Sequence, residues 1–195
     1  MRNHLTVWCC VLLAALIFRP APGLAQGGLP PDDEKPETFV ADARAQGTGT
    51  GVSATVTIHL DRFTLERHRT NMLTALKEGG YPRLLTVLRS TPDVGYVEMN
   101  GRKVLVRWAR QVPKGKGRSI SIVTERPLAF VGGAAIDAKS RAGYELAILQ
   151  FDLDANGSGS GTMAAAARVK PGGETGVQLD DYAETPITLT VKKTK

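Results

Sequence analysis

A row of polar side chains on one predicted strand is the strongest candidate for acid–base chemistry. Residues 52–60 alternate between apolar and polar side chains, which predicts a half-buried strand. The polar face carries Ser53, Thr55, Thr57, His59 and Asp61. Inside a barrel, this row would line a polar cavity in which His59 acts as a general base with a hydroxyl or acidic partner. On the outside it would be ordinary solvated sheet surface, which is the interpretation we favour.

Few other side chains offer nucleophilic or imidazole chemistry. After residue 25 the chain contains no cysteine, and its histidines are His59 and His68. Arg67 and Arg69 flank His68 on a predicted helix, which is typical of a surface side chain. No serine nucleophile elbow, paired-histidine metal motif or Glu-Lys constellation accompanies His59. The sequence therefore favours a non-enzymatic role, with a small hydrolase or isomerase using His59 as the alternative.

Three cations lie close together at a predicted hairpin tip. Lys114, Lys116 and Arg118 alternate with Gly115 and Gly117. Cations on such a turn could bind phosphate, sulfate or carboxylate groups. The alternative is a solvated turn whose charges prevent pairing between sheet edges.

The uncharged segment 128–136 is a second candidate binding element. It is too short to span a membrane, since a spanning helix requires roughly 20 residues. Phe130 could close an apolar pocket as part of a lid. A buried strand edge with a glycine kink is the commoner structure for such a segment.

Two loop motifs resemble ligand sites only in part. Residues 152–157 begin like a calcium loop, but Met163 stands where the twelfth-position carboxylate belongs, so we expect a tight polar turn. The alternating Gly and Ser of residues 157–161 precede no helix that could face a phosphate. We accordingly predict no metal and no cofactor.

The first 25 residues have the pattern of a signal peptide. A positive start is followed by the apolar run 5–18 and by small residues before a cleavage site near Ala25. We therefore expect a protein exported to the periplasm or the exterior, with no transmembrane span. A flexible acidic leader is predicted for residues 26–46, which carry five acids and two cations.

The basic excess of the whole chain is local. Lys and Arg number 25 against 19 acids, a net charge of +6, but two cations belong to the predicted signal peptide, which leaves +4. Residues 62–126 alone hold 14 cations and five acids, a net of +9. Because export makes nucleic acid a poor partner, we expect an anionic lipid, a polysaccharide or a small apolar ligand instead.

The remaining pattern predicts one α+β domain over residues 47–195. Period-two segments indicate a twisted antiparallel sheet, or a small barrel, of about eight strands. A helical pair is predicted after the first strand, with Thr64 as the first N-cap and Gly79-Gly80 between the helices. Residues 144–153 are apolar on both faces, so we expect them to form a strand that is covered on both sides.

Segments 61–80, 126–127 and 153–155 together resemble exported bacterial proteins of unknown function. The resemblance covers most of the predicted mature chain and implies only the fold. Our leading hypothesis is an exported, non-enzymatic domain that binds a small apolar or anionic ligand or an envelope component. A structural or interaction protein of the cell envelope is a further alternative.

Overall fold

The computed structural model describes residues 31–45, 53–128, 142–182 and 186–194. The elements in these ranges are β1 (Glu37–Arg44), β2 (Ser53–Leu60), α1 (Glu66–Ser90), β3 (Gly95–Met99), β4 (Arg102–Lys114), β5 (Gly117–Thr124), β6 (Leu146–Leu153), β7 (Ser158–Pro171), β8 (Val177–Tyr182) and β9 (Ile187–Lys193). A 3₁₀ turn, Pro31–Glu34, precedes β1. The predicted signal peptide and Phe130 lie outside the described residues.

Eight of the strands close into an antiparallel barrel, as the coarse sequence pattern predicts. β1 to β7 pair in chain order, and β9 completes the ring by pairing with both β7 and β1. β8 lies outside the ring because it pairs with the second half of β7, beyond the part that β9 occupies. The barrel is closed between its first strand and its last.

Aromatic and branched side chains fill the barrel interior. Alternate residues of each strand point inward, and among the largest fully buried ones are Phe39, Ile58, Ile120, Leu149 and Phe151. Phe39 and Phe151 pack edge to face with ring centroids 5.5 Å apart. Since the apolar side of β2 faces this core, its Ser, Thr and His side chains lie on the outside. The prediction of a polar cavity lined by the His59 row is therefore wrong. The row lies on the outer surface of the barrel, which is the interpretation that we favour from the sequence.

Helix α1 packs across the outer surface of the barrel. The helix contributes to a second apolar cluster, which contains Met72, Leu76 and Leu88 together with Trp108 and Ile148.

In β6, Leu146 and Ile148 face this cluster, whereas Ala147, Leu149 and Phe151 face the interior. The prediction that this strand is covered on both sides is confirmed.

The predicted helical pair is not confirmed. Residues 66–90 form one element with a kink at Gly80, whose φ of 66° and ψ of −165° are not helical. Pro82 is accommodated in the turn after the kink, where its missing N–H costs no helical hydrogen bond. The helix also follows the second strand of the sheet, not the first.

Thr64 does not cap the helix as predicted. The N-cap residue is Leu65, and it makes no side-chain capping bond. The Thr64 hydroxyl instead accepts a hydrogen bond from the Ala109 backbone N–H at 2.8 Å. The residue thus joins the start of α1 to β4.

The predicted flexible leader contains a strand of the barrel. β1 lies between β2 and β9, and the side chains of Phe39, Ala41 and Ala43 are fully buried. Two of these three are alanines, so the alternation of apolar and polar residues is weak beside the acidic, proline-rich residues before it. Pairing on both edges fixes a segment whose local sequence resembles a linker.

Candidate functional site

A charged pocket lies at the end of the barrel where β1 begins and β9 ends. Its volume is about 600 Å³, and its walls include Asp33, Glu37, Gln111, Arg118 and Lys193. This volume is within the usual range of about 300 to 1,000 Å³ for sites that bind small molecules.

The inward-facing series of the strands places the charged groups at this end. Along β1, Glu37 points to the same side as Phe39 and Ala41, because alternate residues share a face. Along β5, Arg118 precedes the inward-facing Ile120 in the same way. The Arg118 guanidinium carbon lies 5.8 Å from the centroid of the Phe39 ring. Charged side chains thus form the last layer of the barrel, directly above its apolar core.

Glu37 is the acidic centre of this layer. Arg118 Nη2 is 3.0 Å from Glu37 Oε1 and 2.9 Å from Oε2, and Lys193 Nζ is 2.5 Å from Oε1. The Glu37 side chain is only 7% exposed. A buried carboxylate requires such partners, because isolated charge is costly away from water.

Gln111 connects Arg118 to the 3₁₀ turn. Its amide Nε2 donates to Asp33 Oδ1 at 2.6 Å, and its Oε1 accepts a hydrogen bond from Arg118 Nη1. The Asp33 carbonyl accepts the Phe63 backbone N–H at 2.8 Å. The 3₁₀ turn is therefore bonded both to β4 and to the segment that leads into α1.

The exposed charge in the pocket is positive although two acids line it. Asp33 and Glu37 are buried and have hydrogen-bonding partners, whereas Lys35 is exposed. The Arg118 and Lys193 side chains are 22% and 40% exposed. A molecule entering the pocket meets cations first, with the acids behind them.

The three cations of the predicted hairpin tip have different positions. Arg118 enters the pocket, and Lys116 is exposed. Lys114 Nζ lies 2.9 Å from Asp152 Oδ2, and this hydrogen bond raises the pKa of Lys114 and lowers the pKa of Asp152. The structure therefore does not bring the three together at one site, and their anion binding stays a prediction.

The row on β2 lies on the outer face of the barrel. Ser53 and Thr55 are exposed, and Thr57 and His59 are half-buried. His59 contacts a hydroxyl on one side and a carboxylate on the other, from Thr38 and Asp61. His68 lies half-buried on α1, where burial and the charge of Arg67 lower its pKa.

The calcium-like loop is a tight turn, as expected. Asp154 Oδ1 accepts the backbone N–H groups of Asn156 at 2.8 Å and Ser158 at 2.9 Å. Asp152 pairs with Lys114. In the described ranges, no three His, Cys, Asp or Glu side chains are arranged to hold a metal ion.

Sequence reasoning identified Arg118 but missed Glu37, Gln111 and Lys193. Glu37 and Lys193 are neighbours in space although 156 residues separate them in the chain. The available signal was alternation: Glu37 begins the series that continues through Phe39 and Ala41. In a strand over residues 37–44, this alternation places the Glu37 carboxylate on the inward face.

Searches against protein-family models, curated proteins and solved structures each return no match for this chain. Among the residues that the structure describes, no helix has both the length and the apolar character needed to cross a membrane.

Proposed function

We propose that the protein is an exported binding module that takes a small ligand with carboxylate or phosphate groups into the pocket at the barrel end. The observation that carries this proposal is the set of partly exposed cations above two buried and partnered acids. Export rests on the signal-peptide pattern of residues 1–25.

The charges support an anionic ligand over a cationic one. Arg118 presents a planar guanidinium suited to carboxylate and phosphate, and Lys193 adds a partly exposed ammonium group. Val112 and Pro113 provide an apolar wall beside them. Because side chains fill the barrel interior, the ligand is expected to bind at the barrel end, above the Phe39 ring.

A citrate titration tests this proposal, since citrate carries several carboxylates in a small molecule. The melting temperature is measured at increasing citrate, with chloride adjusted to hold the ionic strength constant. A ligand that binds only the folded state raises stability in proportion to RT ln(1 + [L]/Kd). We expect a saturable rise in the wild type and loss of most of it in Lys193→Gln. Inorganic phosphate is titrated in parallel to separate the two anion classes.

Lys116→Gln is the matched control. It removes the same charge from the same end of the molecule, at a position outside the pocket lining. The control should retain the wild-type response to citrate. An equal response in wild type, Lys193→Gln and Lys116→Gln would show a general salt effect on stability and overturn the proposal.

A further inference from the structure

Thr38, His59 and Asp61 form a hydrogen-bonded line on the outer face of the barrel. Thr38 and His59 are directly opposite each other in the β1–β2 ladder. Thr38 Oγ1 lies 2.8 Å from His59 Nδ1, and His59 Nε2 lies 3.2 Å from Asp61 Oδ1. The order of groups is therefore hydroxyl, imidazole and carboxylate.

The chemistry of the three groups defines where the protons lie. An ionised carboxylate can only accept a hydrogen bond, so in the neutral imidazole His59 Nε2 carries the proton that Asp61 receives. His59 Nδ1 then has a free lone pair, and the Thr38 hydroxyl donates to it. This is the arrangement in which an imidazole can remove a proton from a hydroxyl nucleophile.

The surroundings hold the imidazole in place and leave it accessible. The rings of His59 and Tyr96 lie with centroids 5.2 Å apart, and Lys103 Nζ is 4.1 Å from the Tyr96 centroid. The side chains of His59 and Asp61 are 28% and 58% exposed. A small molecule in solution can thus approach His59 and Asp61 from outside the barrel, and Thr38 itself is half-buried.

We propose that Thr38 is a nucleophile that His59 activates, and that it accepts acyl groups from small activated esters. Thr38 Oγ1 bonds to the carbonyl carbon of the ester, and the hydroxyl proton passes to His59 Nδ1. The bond between that carbon and the alcohol oxygen breaks, and the alkoxide or phenolate leaves. Asp61 is a positioning residue that orients the ring. This activity is independent of the pocket, whose groups face the other side of the sheet.

The test uses p-nitrophenyl acetate and the full chain. Acetylated sites are located by peptide mass mapping before and after hydroxylamine, which removes acetyl esters from Thr and leaves acetyl amides on Lys. Thr190 is an internal control, because it is an exposed hydroxyl on the outer face of β9. We expect hydroxylamine-sensitive acetylation of Thr38 to exceed that of Thr190 at least about tenfold, since general-base assistance contributes about 10²- to 10⁴-fold.

Substitutions separate general-base activation from local exposure. His59→Gln should reduce acetylation of Thr38 to the level of Thr190. Asp61→Ala should reduce it partly, and Asp61→Glu should restore it, because the longer side chain keeps a carboxylate near Nε2. Equal acetylation of Thr38 and Thr190 in the wild type would overturn the proposal without any variant. So would undiminished acetylation of Thr38 in His59→Gln.

Discussion

Arginine side chains in the basic stretch 62–126 hold parts of the fold together. Four arginines donate hydrogen bonds to other segments of the chain. Three of them donate to backbone carbonyls, namely Arg69, Arg107 and Arg110, and Arg118 donates to the Gln111 side chain. Arg107, for example, donates two hydrogen bonds to Glu125 and a third to the Thr91 carbonyl. Much of the charge that the sequence concentrates here therefore serves structure, and the part available to a ligand is smaller than +9 implies.

Glu66 gives a residue-level prediction on pH. The hydrogen bond from Arg69, aided by its charge, holds the pKa of Glu66 below the ordinary value of 4.5. A lowered pKa in the folded state means that the carboxylate stabilises the fold above that ordinary value, and that this contribution is lost as the pH falls through the folded pKa. Near neutral pH, Glu66→Gln should be less stable than wild type by at most about 1 kcal/mol, because the carboxylate is largely exposed.

Urea denaturation at pH 7 and below pH 4 measures this difference. We expect the gap between wild type and Glu66→Gln to shrink in acid. Glu78→Gln, an exposed position on the same helix, should stay within about 0.5 kcal/mol of wild type near neutral pH. A gap that widens in acid would contradict the assigned role of Arg69.

At the scale of elements, β7 explains the Gly-Ser repeat that resembled a phosphate loop. Gly159 and Gly161 lie where β6 approaches closely, and Ser160 between them faces outward. A Cβ atom on Gly159 would lie 1.7 Å from the Asp152 carbonyl oxygen. These glycines are therefore required by strand packing in a tightly curved barrel.

Gly161→Ala should destabilise the barrel. The added Cβ would lie 2.1 Å from the Gln150 carbonyl oxygen and 2.5 Å from Phe151 Cα, both in the neighbouring strand. We expect a loss of about 1 to 3 kcal/mol in the free energy of unfolding, as for other overpacked positions. Chemical denaturation measures it, with Ser160→Ala as the control.

Ser160 is exposed on the opposite face of the same strand. Its alanine variant should change stability by no more than about 0.5 kcal/mol. Equal stability of the two variants would mean that β6 can shift away from β7.

Local patterns predicted most of these elements. Asn100-Gly101 is the residue pair typical of a tight hairpin turn, and in the β3–β4 turn both residues have the positive φ that such a turn requires, 52° and 73°. The apolar residues on both faces of β6 predicted that the strand is covered on each side. The sequence predicts a helix end at Gly79-Gly80, where the structure has a kink at Gly80, since glycine ends a helix as readily as it bends one.

Long-range pairing accounts for what local patterns missed. β1 is a strand because β2 and β9 flank it, and its own alanines give little periodic signal. The pocket depends on the same pairing, because it needs Glu37, Arg118 and Lys193 from three separate strands. A sequence pattern can propose Arg118 as a cation near a turn, but its acidic partner follows only from closure of the barrel.

At the scale of the whole molecule, Glu37 connects strands that are far apart in the chain. Its carboxylate contacts Arg118 of β5 and Lys193 of β9. Glu37→Gln would leave two cations close together at the barrel end without their buried counter-charge. We expect a loss of about 2 kcal/mol in the free energy of unfolding, less than for a fully buried pair because both cations are partly exposed.

Glu98→Gln is the matched control for this prediction. Glu98 is also on a strand, and it forms an ion pair with Lys103 at 3.6 Å on the outer face. Such exposed pairs contribute at most about 1 kcal/mol. Thermal and urea unfolding should rank Glu37→Gln below Glu98→Gln, and the reverse order would contradict the role assigned to Glu37.

The seam between β1 and β9 also determines when the barrel can form. Every other neighbouring pair in the ring is consecutive in the chain, apart from β7 and β9, between which β8 intervenes. The sheet therefore keeps two open edges until β9 is available for pairing. Closing a loop of this length is slow, and the open edges are exposed to pairing with other chains in the meantime. Synthesis of β9, the last strand of the ring, sets the earliest moment at which the barrel can close.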